Sequence, residues 1–281
     1  MNSMSARRLL LVGESCFSHT IYQKGFDSFA SSTYEEACSD FRVALESRGW
    51  MVDHIPCHLV ETRMPSTMES ISQYAVVVVS DVGSNTFLLG RQTFYRGEVA
   101  SDLLDLLATY TSNGGGLVMV GGYMSFGGIE GKAGYGRTRL HEVLPVEVSL
   151  GDDRIEVPAG IIPSVHLPDH PTVAGIATPW PSLLGYNRLQ CRSPSVVVAS
   201  CGTDPLLVVG SYGQGKSAAF ASDLGPHWAP SRFTSWEGYP ALWDGIVSWA
   251  AGLHPSRPEP AEAQRLGSNM PAKHDRTYRT E

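Results

Sequence analysis

Residues 114–128 read GGGLVMVGGYMSFGG. Four apolar residues, Leu117, Val118, Met119 and Val120, stand between two glycine clusters with no polar residue among them. A strand with one wet face alternates apolar and polar residues. An unbroken apolar run bounded by turn residues is instead covered on both faces, as in a parallel sheet between helices. Two more such runs lie upstream, at 8–13 and, as AVVVVS, at 75–80. Amphipathic helical segments separate them. In 34–48, Ala37, Phe41, Ala44, Leu45 and Arg48 share a face, Thr33 with Glu36 forms a capping-box pattern, and Gly49 ends the helix. In 98–112, Val99, Leu103, Leu106, Leu107 and Tyr110 share a face. With a strand at 50–55 and a short helix from Pro65 to about Tyr74, the order is β-α-β-α-β-α-β. That order predicts an α/β fold, a doubly wound, mostly parallel sheet flanked by helices.

After Gly128 the pattern changes. A short helix is expected at 137–143 and a strand at 144–150, while 166–181 shows no periodicity. Three β-like runs follow at 187–191, 196–200 and 206–211, and Gly213-Gln214-Gly215 turns into 216–222 as a hairpin. This half should add an antiparallel extension to the parallel sheet. A last helix at 240–252 has a broad apolar face. Beyond Gly252 come prolines and charges with almost no large apolar residue, so 1–252 is expected as one domain and 253–281 as a disordered tail.

Composition removes whole classes of function. Net charge is −7 and the 21 Lys and Arg residues are scattered, so no basic stripe exists for nucleic acid. No apolar run approaches the roughly 18 residues of a membrane span. The run at 9–12 is stopped by Gly13 and Glu14, too soon for a signal peptide. Five cysteines form no CxxC pair, which fits reduced thiols in the cytoplasm better than a disulfide framework or a zinc site. HLPDH at 166–170 spaces two histidines four apart, but its prolines forbid the helix that would align them. SYGQGKS at 211–217 lacks the spacing of a phosphate loop. Neither a metal nor a cofactor is expected.

In doubly wound sheets ligands bind beyond the carboxyl ends of the strands. The candidate residues are therefore the polar ones that follow each strand. Asp223 and His227, four apart across Leu-Gly-Pro, form a candidate acid–base pair; the alternative is a backbone cap beside a histidine packed on Trp228. In the turn after 117–120, Gly122 permits a tight bend, Tyr123 is a candidate acid or donor, and Ser125 is a candidate weak nucleophile. Asp81 and Asn85 follow the third strand, where Asp81 either orients a ligand or organises its own loop. Glu14 follows the first strand. His19, Lys24 and Asp27 lie on a long loop at 14–32, whose mixed charges suit a small polar or anionic molecule or are merely solvated.

The blocks GESCFSHTIYQKGFDSF, SDVGSNTFLL, GGGLVMVGGYMSFGGIEGKAGY, LPVEVSLGDDRIEVP, WPSLLGYN and ASDLGPHWAP together resemble the glutamine amidotransferase-like family. That family has the class I amidotransferase fold and is related to the trehalose-utilisation (ThuA-like) proteins. The resemblance spans about residues 8–252. It implies a small polar ligand such as a sugar derivative or an amide, hydrolase- or isomerase-like chemistry, and a homo-oligomer, for which the aromatic-rich 228–249 segment is a candidate interface. It also implies a non-catalytic binding or assembly module as the alternative. True class I amidotransferases place a cysteine in a G-x-C-x-G turn and a His-x-Glu pair late in the chain. Here the turn reads Gly121-Gly122-Tyr123-Met124-Ser125, and Asp223 and His227 occupy the later region. Thiolate attack on glutamine needs the missing sulfur, so standard glutaminase activity is not expected.

Overall fold

Fourteen strands organise the computed structural model, which describes residues 7–253. In chain order they are β1 (Arg8–Gly13), β2 (Ser15–Lys24), β3 (Asp27–Glu36), β4 (Met51–Ile55), β5 (Val76–Ser80), β6 (Gly116–Val120), β7 (Val146–Glu147), β8 (Arg154–Ile161), β9 (Ser164–Val165), β10 (Leu183–Asn187), β11 (Gln190–Cys191), β12 (Val196–Cys201), β13 (Asp204–Tyr212) and β14 (Gly215–Phe220). Eight form one sheet in the order β4-β1-β5-β6-β14-β13-β12-β9. The pairs from β4 through β14 are parallel, and those from β14 to β9 are antiparallel. The expected α/β fold, doubly wound and mostly parallel with an antiparallel extension, is the observed one.

The apolar runs explain the sheet's centre. Leu9 to Val12, Val76 to Val79 and Leu117 to Val120 are fully buried. Each such side chain contributes about 1.5–3 kcal/mol relative to leaving it in water. The helices Ser39–Glu46 and Tyr239–Ala250 pack on each other, with Phe41 meeting Trp243 edge-on at 5.0 Å. The helix Leu103–Ser112 packs on β6 and β14. Among the described residues no helix is long and apolar enough to cross a membrane.

Several local expectations are corrected. The long loop at 14–32 is a β-hairpin: β2 and β3 pair antiparallel over their whole length, from Ser15 with Glu36 to Lys24 with Asp27. Thr33 therefore lies across from Ser18 rather than capping a helix. The helix expected at 34–48 is confined to Ser39–Glu46, where Phe41, Ala44 and Leu45 are buried as anticipated. The helix expected from residue 98 starts at Leu103, because Asp102 caps it by accepting from the N–H groups of Leu104 (2.9 Å) and Asp105 (3.0 Å). Val99, assigned to its inner face, is 99% exposed. Short helices Asn85–Leu88 and Arg91–Arg96 occupy the loop expected after the third strand. The strand expected at 144–150 shrinks to β7, whose partner β11 has only two residues. β8, absent from the sequence reading, forms because β10 supplies an antiparallel partner outside the main sheet. Trp228, Phe233, Tyr239 and Trp243 of the proposed 228–249 interface are buried core residues. The expected tail from 254 onward lies outside the described residues.

Candidate active site at the strand ends

The register of the parallel strands builds the site. Gly13 pairs with Ser80, Ser80 with Val120, and Val120 with Phe220, so four neighbouring strands end on one line. The residues just past that line converge. Glu14, Ser15, Cys16, Glu35, Ala37, Asp81, Tyr123, Asp223, Pro226 and His227 line a cleft of about 230 Å³. Glu14 follows β1, Asp81 follows β5, Tyr123 follows β6, and Asp223 follows β14.

Each side chain is held by its turn. Glu14 has φ 53°, a left-handed conformation that costs a non-glycine residue energy, and its N–H donates to the Ser80 carbonyl at 2.9 Å. Its buried Oε2 accepts from the Ser80 hydroxyl at 2.5 Å. Asp81 is also left-handed, with φ 43°. Its Oδ1 accepts from the Met124 N–H at 2.6 Å, and its own N–H donates to Ser125 Oγ at 3.0 Å. Gly122 is required at this crossing: its φ is 139°, and a Cβ there would come within 2.6 Å of Asp81 Oδ1.

His227 Nδ1 lies 3.0 Å from Asp223 Oδ2, and that oxygen also accepts from the Trp228 N–H at 2.9 Å. A carboxylate accepts only, so Nδ1 carries the proton and Nε2 remains for proton exchange. Asp223 thus both caps backbone and orients His227. His227 itself has φ 149°, another position unfavourable for a side-chain-bearing residue. The Tyr123 ring meets His227 edge-on at 4.4 Å, while its hydroxyl donates to Glu156 Oε1 at 2.9 Å. Glu156 Oε2 accepts from the Trp228 indole at 3.0 Å.

Burial and like charge set the protonation states. Burial first, then the neighbouring Asp81 and Asp223, hold the Glu14 pKa well above the carboxylate range. Burial raises Asp81 to about 6, partly opposed by the Met124 N–H. The hydrogen bond that His227 donates to Asp223 comes first in raising His227, against the opposing effect of burial. Burial, then the bond to Glu156, raises Tyr123. Carboxyl groups whose environments separate their protonation states are suited to divide the acid and base roles.

Not every candidate reaches the cleft. His19, Lys24 and Asp27 lie along the exposed hairpin, with Lys24 and Asp27 beside its tip and His19 paired with Ser32 Oγ at 2.8 Å. Asn85 is exposed at the start of a helix and does not line the cleft. Ser125 is buried, does not line the cleft, and accepts from the Asp81 N–H, which anchors the turn. Sequence reasoning missed Asn187 and Asp153. Asn187 Oδ1 accepts from the Gly122 N–H at 3.0 Å, and its Nδ2 donates to Asp153 Oδ1 at 2.8 Å. Asp153 further accepts from the N–H groups of Gly127 (2.8 Å) and Gly128 (2.9 Å). The only sequence signal was that both are polar residues beside β-like runs. A roomier neighbouring cleft of about 400 Å³ includes Glu147, Asp152, Arg154 and Arg188. Its Arg154 is tied to Asp152 at 2.8 Å and its Arg188 to Asp204 at 3.3 Å.

The fold and strand-end site define a class I amidotransferase-like α/β protein. The chain belongs to the GATase1_like family, described as putative glutamine amidotransferase, which it matches over residues 8–252. It is similar to the cytoplasmic protein STM3548 from Salmonella typhimurium, at 45% identity and a TM-score of 0.84, covering 86% of this chain and 98% of that one. STM1381, a cytoplasmic protein from Salmonella typhimurium LT2, is 45% identical with a TM-score of 0.83, covering 86% and 99%. A ThuA-like protein from Bacteroides uniformis shares the fold at 11% identity and a TM-score of 0.51, covering 89% and 95%. A comparison with curated proteins finds no match.

Proposed function

We propose that the protein binds a small polar metabolite, such as a sugar derivative or an amide, in the strand-end cleft and performs acid–base chemistry on it, as a hydrolase or isomerase. One observation carries this reading: four adjacent strand ends deliver Glu14, Asp81, Tyr123 and the Asp223–His227 pair into one cleft. Protonated Glu14 donates a hydrogen bond. Asp81 accepts from a hydroxyl or an amide N–H. His227, oriented by Asp223, moves the proton. Buried carboxyl groups disfavour an anionic ligand and favour hydroxyls or amides. The turn after β6 carries no cysteine, so glutamine hydrolysis through a thiolate is not part of this proposal. The cytoplasmic relatives support a cytoplasmic setting.

The test is a thermal-shift screen of sugars, sugar acids, amino acids and amides, run beside Asp223→Asn. A ligand at a hundred times its Kd stabilises by about 2.7 kcal/mol. A stabilising sugar or amide whose effect vanishes in the mutant supports the cleft. No stabilisation by any compound, with both proteins melting cooperatively, overturns it.

One observation favours the second reading, an assembly module. The β2–β3 hairpin is exposed throughout and carries Phe17, Ile21, Tyr22, Phe26, Phe29 and Tyr34 at the surface. An isolated two-stranded hairpin is marginal in water. Phe17, Ile21 and Tyr34 share one face of the hairpin, and a second copy of this chain bringing the same face is the partner that covers it. Sedimentation of Ile21→Asp tests it: the mutant should dissociate a homo-oligomer, and a monomeric wild type rules the module out.

A further inference from the structure

A separate group of donor atoms lies where the hairpin returns to the sheet. Glu36 ends β3, Cys38 follows two residues later, and His54 lies in the edge strand β4. One donor atom from each lies within 4.8 Å of the others. His54 Nε2 stands 2.8 Å from the Gly13 carbonyl oxygen, which only accepts, so Nε2 carries the proton and Nδ1 keeps its lone pair. Cys38 Sγ and Glu36 Oε2 each lie 3.6 Å from that Nδ1. Ligand atoms around a tetrahedral zinc ion, with bonds of about 2.0–2.3 Å, stand roughly 3.3–3.8 Å apart. The two spacings at Nδ1 fall in that range, while Sγ also stands 3.8 Å from Nε2, over the imidazole face, so a rotation of the Cys38 side chain toward the Nδ1 lone pair would complete the arrangement.

The surroundings match a metal site as well. Metal-bound histidines usually donate their other N–H to a carbonyl or carboxylate, as His54 does to Gly13. The Tyr34 hydroxyl donates to Glu36 Oε1 at 2.6 Å, holding the carboxylate with its other oxygen toward His54. Cys38 is buried and the His54 side chain is nearly so, while Glu36 is 37% exposed, so the group opens to solvent on one side only. Burial, then Glu14, pushes the Cys38 thiol up to about 11, only partly opposed by Arg42, and burial first lowers His54, so without an ion the pair is a neutral thiol and a neutral imidazole. No disulfide competes, since Cys38 is a free thiol.

We propose that Glu36, Cys38 and His54 form a three-ligand site for a thiophilic divalent cation of the zinc type, with a fourth position open to water. Hard cations such as magnesium are excluded by the thiolate and imidazole donors. Binding forms the metal–sulfur bond as the Cys38 S–H bond breaks, and the proton leaves to solvent. His54 enters neutral, so the thiol is the source of the proton released. The site is distinct from the cleft, though Ala37 between its ligands lines that cleft and donates its N–H to the Glu14 carbonyl at 3.1 Å. A bound ion would fix the root of the hairpin against β4.

The full chain, reduced and stripped with a chelator, is titrated with Co(II) and followed by absorption. The expected result is one equivalent bound, with a thiolate-to-cobalt charge-transfer band and tetrahedral d–d bands, both removed by zinc. Cys38→Ser should abolish the charge-transfer band. Glu36→Gln, a change at an exposed position that leaves the fold intact, should weaken binding at least about tenfold, and Tyr34→Phe should weaken it by up to about tenfold through the outer shell. If Cys38→Ser fails to fold, Glu36→Gln decides. A wild-type protein without the charge-transfer band, a band that survives in Cys38→Ser, or affinity unchanged in Glu36→Gln overturns the proposal and leaves a buried thiol–imidazole hydrogen bond.

Discussion

The cleft and the hairpin begin at the same place, the end of β1, and part beyond the hairpin's root, where Ser15, Cys16 and Glu35 still line the cleft. Glu14 turns inward at the strand end, where burial and neighbouring carboxylates raise its pKa and Ser80 holds its oxygen. From the very next residue, two ten-residue strands run out and back as the hairpin, with His19, Lys24 and Asp27 in solvent. Both regions supply polar side chains of the types that bind ligands. The strand ends supply convergence, and the body of the hairpin beyond its root does not. A charged group in water loses little by staying hydrated, whereas one placed at a strand end beside three others is desolvated and poised.

The contrast should survive four measurements. The largest effect is expected from the scaffold of the cleft. Asp153→Ala strands two backbone N–H groups and the Asn187 amide, and should cost about 3–5 kcal/mol in urea unfolding. A cost below about 1 kcal/mol would mean the turn after β6 is not held this way. Next comes the dyad. With a ligand from the thermal-shift screen, His227→Gln should lower turnover by about 10²–10⁴-fold while leaving the melting curve cooperative. Unchanged turnover would move the chemistry elsewhere.

The third effect is a pH dependence with a definite sign. Asp81 has a folded-state pKa of about 6, above its ordinary 3.8, so its protonated form stabilises the fold. That contribution is complete below about pH 4 and is lost as pH rises through about 6. Asp81→Asn keeps it. The mutant should therefore be more stable than wild type by about 1–3 kcal/mol at pH 7.5, with the gap closing near pH 4. A gap independent of pH would show that Asp81 is not desolvated. The smallest effect belongs to the hairpin. Asp27→Asn should change stability by less than about 0.5 kcal/mol and leave ligand binding untouched. If it abolished binding as Asp223→Asn does, the distinction between the two regions would collapse.

The readings that succeeded share a physical basis. Runs such as Val76 to Val79 are readable because burial on both faces is a local property of the residues themselves. Strand-end residues were readable one at a time, because every parallel strand must end where a loop begins. The hairpin was not readable: CFSHTIYQ and SFASSTYE alternate weakly, and their pairing is fixed across the turn rather than within either half. Val99 failed for a different reason. Helical spacing continued past the residue that starts the helix, and Asp102 captured the first N–H groups. The position of Ser125 in its turn was readable but its bonding was not, since whether a hydroxyl accepts from a backbone N–H depends on a neighbour 44 residues away.

By itself the sequence determined the layered α/β architecture, the antiparallel addition, the chemical types available beyond each strand, and the absence of a cysteine from the turn after β6. Apolar pattern and turn residues act over a few positions, and those properties are written there. Tertiary structure alone decided that Gly13, Ser80, Val120 and Phe220 end on one line. It decided that Asn187 and Asp153 brace Gly122, and that Glu36, Cys38 and His54 meet. Each of these depends on register between segments distant in the chain, and register is settled only when the whole sheet closes its hydrogen bonds and buries its faces together.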